Sequence, residues 1–262
     1  MPNRIDRCFA ELRARQEKGF IAYIGAGDPN LSATVQLAHA LEAAGTDILE
    51  LGIPFSDPLA DGLVNQLAAQ RALEAGATVR GVLACVREIR RASEMPIVLY
   101  TYLNPIVQFG WEEFHREAED AGVNGLLILD LPPDEDLREH QAALAHIRLV
   151  APTTPRQRLE TICARGAGFI YYVSREGVTG AQDNVASSLG ERVAELRQFT
   201  QLPVAVGFGI TTADQVREVA RHADAVVVGS AIVDQIAQAG KSADLVEKVT
   251  AFVRPLIQAT RH

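Results

Sequence analysis

The sequence predicts one (β/α)8 barrel, a TIM barrel, with an extra N-terminal helix and an enlarged loop after strand 2, and three observations predict it. Eight short runs rich in Val, Ile, Leu and aromatic residues recur along the chain, with amphipathic, charged stretches between them. These runs are nearly continuous in apolar residues rather than alternating, as in strands of a parallel sheet covered on both faces. The 262 residues suit eight such units, since a barrel of this kind takes about 250. A doubly wound open sheet is the alternative. It usually carries G-x-G-x-x-G after its first strand, whereas here the chain reads Ala26-Gly27-Asp28-Pro29.

The first strand is expected at residues 20–25, after the added N-terminal helix. An amphipathic segment at 32–44 sets Val35, Ala38 and Leu41 on one face and turns Glu42 outward. The second strand is expected at 47–52 and the third at 96–102. About 45 residues lie between them, more than a loop and one helix need, so this is the enlarged loop. Part of it is a helix at 80–92, with Val82, Leu83, Val86 and Ile89 close to helical spacing. Trp111 opens a further helix, as a packing residue. The remaining strands are expected at 125–131, 147–151, 168–174, 203–207 and 225–229, with helices at 212–222 and 243–259. No linker, low-complexity tract or charge block interrupts residues 1–262, so one domain is expected.

Composition excludes several classes. An apolar share of 48% with nine Phe and five Tyr excludes a disordered chain. The net charge of −8 is spread along the chain, which excludes the broad basic surface that nucleic acid needs. Small anions remain open, because backbone amides hold them without Lys or Arg. Cys8, Cys85 and Cys163 are odd in number and lack C-x-x-C, so neither a disulfide framework nor a zinc site is expected. No two of the six His have ligand spacing, and no metal is expected. The opening Met1-Pro2-Asn3-Arg4-Ile5-Asp6 lacks the apolar stretch of a signal peptide, and residues 225–233 are too short to span a bilayer. A soluble, cytoplasmic protein is the expectation.

Reactive residues of a barrel lie at the carboxyl ends of its strands. Glu50 is a carboxylate inside an apolar strand. Burial there raises its pKa and suits it to acid–base chemistry near neutrality; the alternative is that it points outward or pairs with a cation. Asp61, in the following loop beside Gly62, is either a turn former or a second functional carboxylate. Gly207-Phe208-Gly209 follows the seventh strand and Gly229-Ser230 the eighth. Small residues there, with a helix starting after Gly229, make a phosphate site at the place where barrels frequently hold one. The loop after strand six adds Gly177 and Gly180. Tyr100 and Tyr102 share one strand face, whereas Tyr171 and Tyr172 point to opposite faces. Aromatic residues at the mouth suit a flat apolar ligand, and core packing explains them nearly as well.

The continuous run Glu50-Leu-Gly-Ile-Pro-Phe-Ser-Asp-Pro-Leu-Ala-Asp61-Gly62 resembles the signature of the tryptophan synthase α subunit family. The resemblance continues in family order through Gly27-Asp28-Pro29, Tyr102-Leu103-Asn104-Pro105, Asp130-Leu131-Pro132, residues 174–180, Gly207-Phe208-Gly209-Ile210 and Gly229-Ser230-Ala231. It implies a lyase that splits indole-3-glycerol phosphate into indole and glyceraldehyde 3-phosphate by retro-aldol cleavage. Glu50 matches the acid–base residue, and Asp61 the carboxylate that takes the indole N–H. Tyr171 matches a tyrosine near the glycerol chain; Tyr102 and Phe208 match the indole pocket, and Tyr23 a site where an aromatic ring is usual. Gly180, Gly209, Gly229 and Ser230 match the phosphate cradle, and Thr179 is expected to bind substrate beside it. The resemblance implies no cofactor in this chain, and a β-subunit partner that carries pyridoxal phosphate and receives indole in an αββα complex. Leu63 stands where Pro is usual, Asn65 where Ile is usual and Gly25 where Thr is common. These departures motivate the alternative of a freestanding lyase or paralogue. A non-catalytic regulator of the β subunit is a further alternative, against which the presence of both Glu50 and Asp61 argues.

Overall fold

Parallel pairing closes in chain order. β1 (Gly19–Gly25) pairs with β2 (Ile48–Gly52) on one side and with β8 (Ala225–Val228) on the other. Between them run β3 (Ile97–Thr101), β4 (Gly125–Ile128), β5 (Ala145–Val150), β6 (Ile170–Val173) and β7 (Val204–Gly207), making a closed eight-stranded barrel. A computed structural model describes residues 3–132, 135, 144–174, 182–207 and 209–261 of the chain. Every strand read from the sequence is present. β6 starts two residues later than expected, because Gly168 sits at φ +74 and cannot join a ladder. β5 starts two residues earlier, at Ala145; the polar His146 hides that start in the sequence. His146 is buried and stacks on His115, with ring centroids 5.4 Å apart.

Strand alternation makes two cores. Ile21, Ile48, Val98, Leu127, Ile147, Phe169, Ala205 and Val227 face inward and fill the barrel. Their neighbours, among them Ala22, Leu49, Leu99, Ile170, Val206 and Val228, face outward under the helices. Tyr171 packs with the inner set and Tyr172 with the outer, as alternation requires. The expected N-terminal helix is α1 (Arg4–Arg15), started by Asn3, whose side chain accepts from the Ile5 amide. Its Ile5, Phe9 and Leu12 recur at helical spacing and join the inner core, Phe9 meeting Phe169 at 5.8 Å between ring centroids.

The other helices surround the barrel. α2 (Leu31–Ala44) is capped by Asn30 and ended by Gly45, whose φ of +105 only glycine adopts readily. The enlarged loop after β2 holds two helices, α3 (Leu63–Glu74) and α4 (Val79–Arg90). Two more follow β3, α5 (Leu103–Phe109) and α6 (Trp111–Ala121). Next come α7 (Arg156–Ala164), α8 (Gln182–Leu196), α9 (Ala213–Ala220), α10 (Ser230–Ala239) and α11 (Leu245–Gln258). Among the described residues no helix is long and apolar enough to cross a membrane. No group of three His, Cys, Asp or Glu that could hold a metal occurs among them.

Candidate active site

Inward parity brings Tyr23, Glu50, Tyr100 and Tyr171 to the carboxyl end of the barrel, one layer above the apolar filling. Glu50 does not point outward, and among the described residues it pairs with no cation. It is 1% exposed, and among the described residues neither carboxyl oxygen has a hydrogen-bond partner. Desolvation by burial alone pushes its pKa up to about 8. The same burial, reinforced by the nearby carboxylates, raises the three tyrosines well above their ordinary value: Asp61 and then Glu50 act on Tyr23, and Glu50 and then Asp61 on Tyr171. Tyr100 is raised by burial and by Asp61. The five groups therefore share one electrostatic neighbourhood.

Asp61 is held in a different manner. The Tyr102 hydroxyl donates to its Oδ2 at 2.7 Å and the Tyr100 hydroxyl to its Oδ1 at 2.9 Å. The Tyr102 hydroxyl also accepts from the Ala60 amide at 3.0 Å, tying the loop down beside the carboxylate. Asn65, in the first turn of α3, donates to Asp61 Oδ1 at 3.4 Å. α3 is itself anchored by Arg71, which makes a bidentate bond to the buried Asp28 after β1, at 2.9 and 2.7 Å. Tyr23, Phe55, Asp61, Asn65, Tyr100 and Tyr102 line a narrow cleft at this end.

Two glycines at strand ends make room for ring hydroxyls. A Cβ on Gly52 would stand 2.5 Å from the Tyr23 hydroxyl oxygen, and one on Gly207 2.5 Å from that of Tyr171. On the other side of the mouth, Gly229 is the N-cap of α10, and among the described residues no side chain caps that helix. Its first amides and the positive end of its dipole therefore remain available to an anion. Gly209 has φ +68, and the side chain of Gln215 ties the amides of Thr211 and Thr212 in the loop beyond it.

A sequence profile of the family described as tryptophan synthase alpha chain matches residues 9–261. The chain belongs to the tryptophan synthase alpha chain family. It is 52% identical to the tryptophan synthase alpha chain of Opitutus terrae, over 86% of each chain. To that of Citrifermentans bemidjiense it is 46% identical, again over 86% of each. Its fold is similar to the crystal structure of the Legionella pneumophila tryptophan synthase alpha chain, with TM-score 0.89 and 37% identity over 99% of this chain and 98% of that one. Likeness to a chain of Mycobacterium tuberculosis tryptophan synthase gives TM-score 0.88 and 34% identity over all of both chains. A tryptophan synthase alpha chain is a carbon–carbon lyase of tryptophan biosynthesis that cleaves indole-3-glycerol phosphate, and it has a β-subunit partner.

Of the site residues expected for a tryptophan synthase alpha chain, Glu50, Asp61, Tyr23, Tyr102 and Tyr171 converge at the mouth, and Gly209, Gly229 and Ser230 lie in the loops that follow β7 and β8. Thr179, Gly180 and Phe208 lie outside the described residues. The sequence reading omitted Tyr100 and Asn65 from the site. Tyr100 was within reach of it, since residue parity puts Tyr100 on the same face as Tyr102. Asn65 stood out in the sequence only as a departure from the family's usual Ile.

Proposed function

We propose that Glu50, Asp61 and Tyr171 carry the retro-aldol cleavage of indole-3-glycerol phosphate to indole and glyceraldehyde 3-phosphate. What supports this reading is the buried Glu50, which has no partner among the described residues and whose pKa burial pushes up to about 8, beside an Asp61 that three donors hold. Glu50 delivers its proton to indole C3, and the ring nitrogen becomes cationic. Asp61 accepts the ring N–H and stabilises that charge. The Glu50 carboxylate then takes the proton of the glycerol hydroxyl next to the scissile carbon. The carbon–carbon bond breaks to the aldehyde, its electron pair returns to the ring, and Glu50 is protonated again. Tyr171 contacts the glycerol chain. Tyr23, Tyr102 and Phe208 enclose the ring. Thr179 binds substrate beside the phosphate, which Gly180, Gly209, Gly229 and Ser230 hold, the uncapped start of α10 supporting the last two.

The reading extends to a cytoplasmic αββα complex in which indole passes to the β subunit and pyridoxal phosphate belongs to that partner. Leu59, 91% exposed, and Leu63, 69% exposed, lie in and just after the loop between β2 and α3; solvent-facing apolar residues so placed support partner docking beside the site. The test is indole released from indole-3-glycerol phosphate by the chain, with and without a β subunit, for wild type and Glu50→Gln. Cleavage raised by the β subunit and abolished in Glu50→Gln, with binding of glycerol phosphate retained, is the expected result. Full activity in Glu50→Gln overturns the assignment. High turnover unaffected by the β subunit makes the chain a freestanding lyase.

A further inference from the structure

Asp61 lies in a loop, yet its carboxylate is bonded from the barrel wall. Tyr100 belongs to β3, where the register sets it beside Gly52, two residues beyond Glu50 on β2. Its hydroxyl donates to Asp61 Oδ1 at 2.9 Å. The ring behind that hydroxyl is fixed by packing. It joins a small apolar cluster with Tyr23, Ala68 and Val233, and it meets Tyr23 edge-on at 4.9 Å between centroids. Tyr102 holds the other oxygen at 2.7 Å, but its hydroxyl also accepts from the Ala60 amide, and the residue stands past β3 as the N-cap of α5. Tyr102 therefore ties the carboxylate to its own loop, whereas Tyr100 ties it to a strand.

We propose that Tyr100 is a positioning residue: its hydroxyl fixes Asp61 against the barrel wall, so that the carboxylate faces the ring N–H of the substrate. A carboxylate offers about four lone-pair positions, so one tyrosine hydroxyl on each oxygen leaves positions for the ring. With both oxygens held, the side chain loses less freedom when the ring N–H binds. A group carried by a strand and locked by packing holds such geometry more tightly than a loop does. This inference rests on the proposed function, in which Asp61 takes the ring N–H. Tyr100 acts through Asp61.

The experiment measures equilibrium binding of two ligands to the full chain, glycerol phosphate and indole-3-propanol phosphate. The second carries the ring N–H and lacks the glycerol hydroxyls. Wild type, Tyr100→Phe, Asp61→Ala and the double variant are compared. Tyr100→Phe keeps the ring and its packing on Tyr23. It is expected to weaken indole-3-propanol phosphate about tenfold and to leave glycerol phosphate unchanged. In the Asp61→Ala background the same substitution is expected to change either dissociation constant by no more than about twofold, because the acceptor of the hydroxyl is gone. Equal weakening with and without Asp61, or of both ligands alike, overturns the role of Tyr100 alone. So does wild-type binding by Tyr100→Phe where Asp61→Ala binds the indole ligand weakly. If Asp61→Ala binds both ligands as wild type does, Asp61 does not take the ring N–H, and the functional reading falls with the inference. Asp61→Asn replaces Asp61→Ala if the latter does not fold, and the same cycle decides.

Discussion

Tyr23 roofs Glu50. The two residues are lateral neighbours in the β1–β2 ladder, and the Tyr23 hydroxyl stands over Gly52, two residues above Glu50 on the same face of the strand. The edge of Tyr100 meets the Tyr23 ring at 4.9 Å between centroids, closing the layer. The Tyr23 ring thus stands beside Glu50 at the cleft wall.

Gly52 is therefore a test of the roof. In Gly52→Ala the new methyl meets the Tyr23 hydroxyl at 2.5 Å and the ring carbon behind it at 2.9 Å. Overpacking of this kind costs about 1–3 kcal/mol, and indole release falls with it. Gly62→Ser, with open space around its Cβ at the N-cap of α3, stays within about 0.5 kcal/mol of wild type or gains slightly. Denaturant unfolding of both variants checks the pair; equal losses would remove the roof from the account.

Glu50 makes stability depend on pH in a predictable direction. Its carboxyl holds a proton in the folded chain up to about pH 8 and in the unfolded chain only up to about 4.5. Between those values the folded state binds more protons, so this group's contribution to stability falls as pH rises. Glu50→Gln removes the effect. The variant is expected to gain on wild type between pH 5 and 8 by a few kcal/mol at most, the difference vanishing near pH 4. Urea unfolding at a series of pH values measures it, and a constant difference would refute the burial-driven shift.

The two hydroxyls on Asp61 are unequal. Tyr102 donates to the carboxylate and also accepts from the Ala60 amide, whereas Tyr100 only donates. Hydrogen bonds to a charged group contribute about 1.5–3 kcal/mol, so Tyr100→Phe is expected to lower kcat/KM for cleavage about tenfold. Tyr102→Phe should lower it further, because it also frees the loop backbone at residue 60. Steady-state indole release distinguishes them, and a more damaging Tyr100→Phe would contradict this assignment.

Arg71 and Asp28 tie the β1 loop to α3. Asp28 is only 2% exposed, so Arg71→Ala strands a buried carboxylate, while Arg71 itself is 35% exposed. Breaking such a pair costs about 3–5 kcal/mol, and the exposed guanidinium places this one at the lower end. Asp28→Asn combined with Arg71→Ala is expected to be less damaging than Arg71→Ala alone. Additive losses in a double-mutant cycle would show that the pair is not coupled.

Much of this was legible before the fold was known. Apolar runs announced all eight strands, and the overlong gap after β2 announced the extra helix there. Glu50 stood out as a charge in an apolar strand, and the Glu50–Gly62 run carried the family. Less legible were the contact of Asn65 with Asp61, which forms only once both stand at the start of α3, and the start of β5, where a buried His interrupts the apolar pattern.

The division follows from the range of the forces. Element type, strand parity and the chemistry of each side chain are local, and period-two alternation already assigned Tyr171 inward and Tyr172 outward. Residues 23, 50, 61, 100 and 171 are far apart in the chain, and only closure of the barrel in its observed register brings their side chains into one layer. That closure decides that Glu50 is buried without a partner among the described residues, that Gly52 admits the Tyr23 hydroxyl, and that two tyrosines converge on Asp61. Desolvation then raises one carboxyl while donors hold the other, a difference that arises from tertiary packing rather than from residue identity.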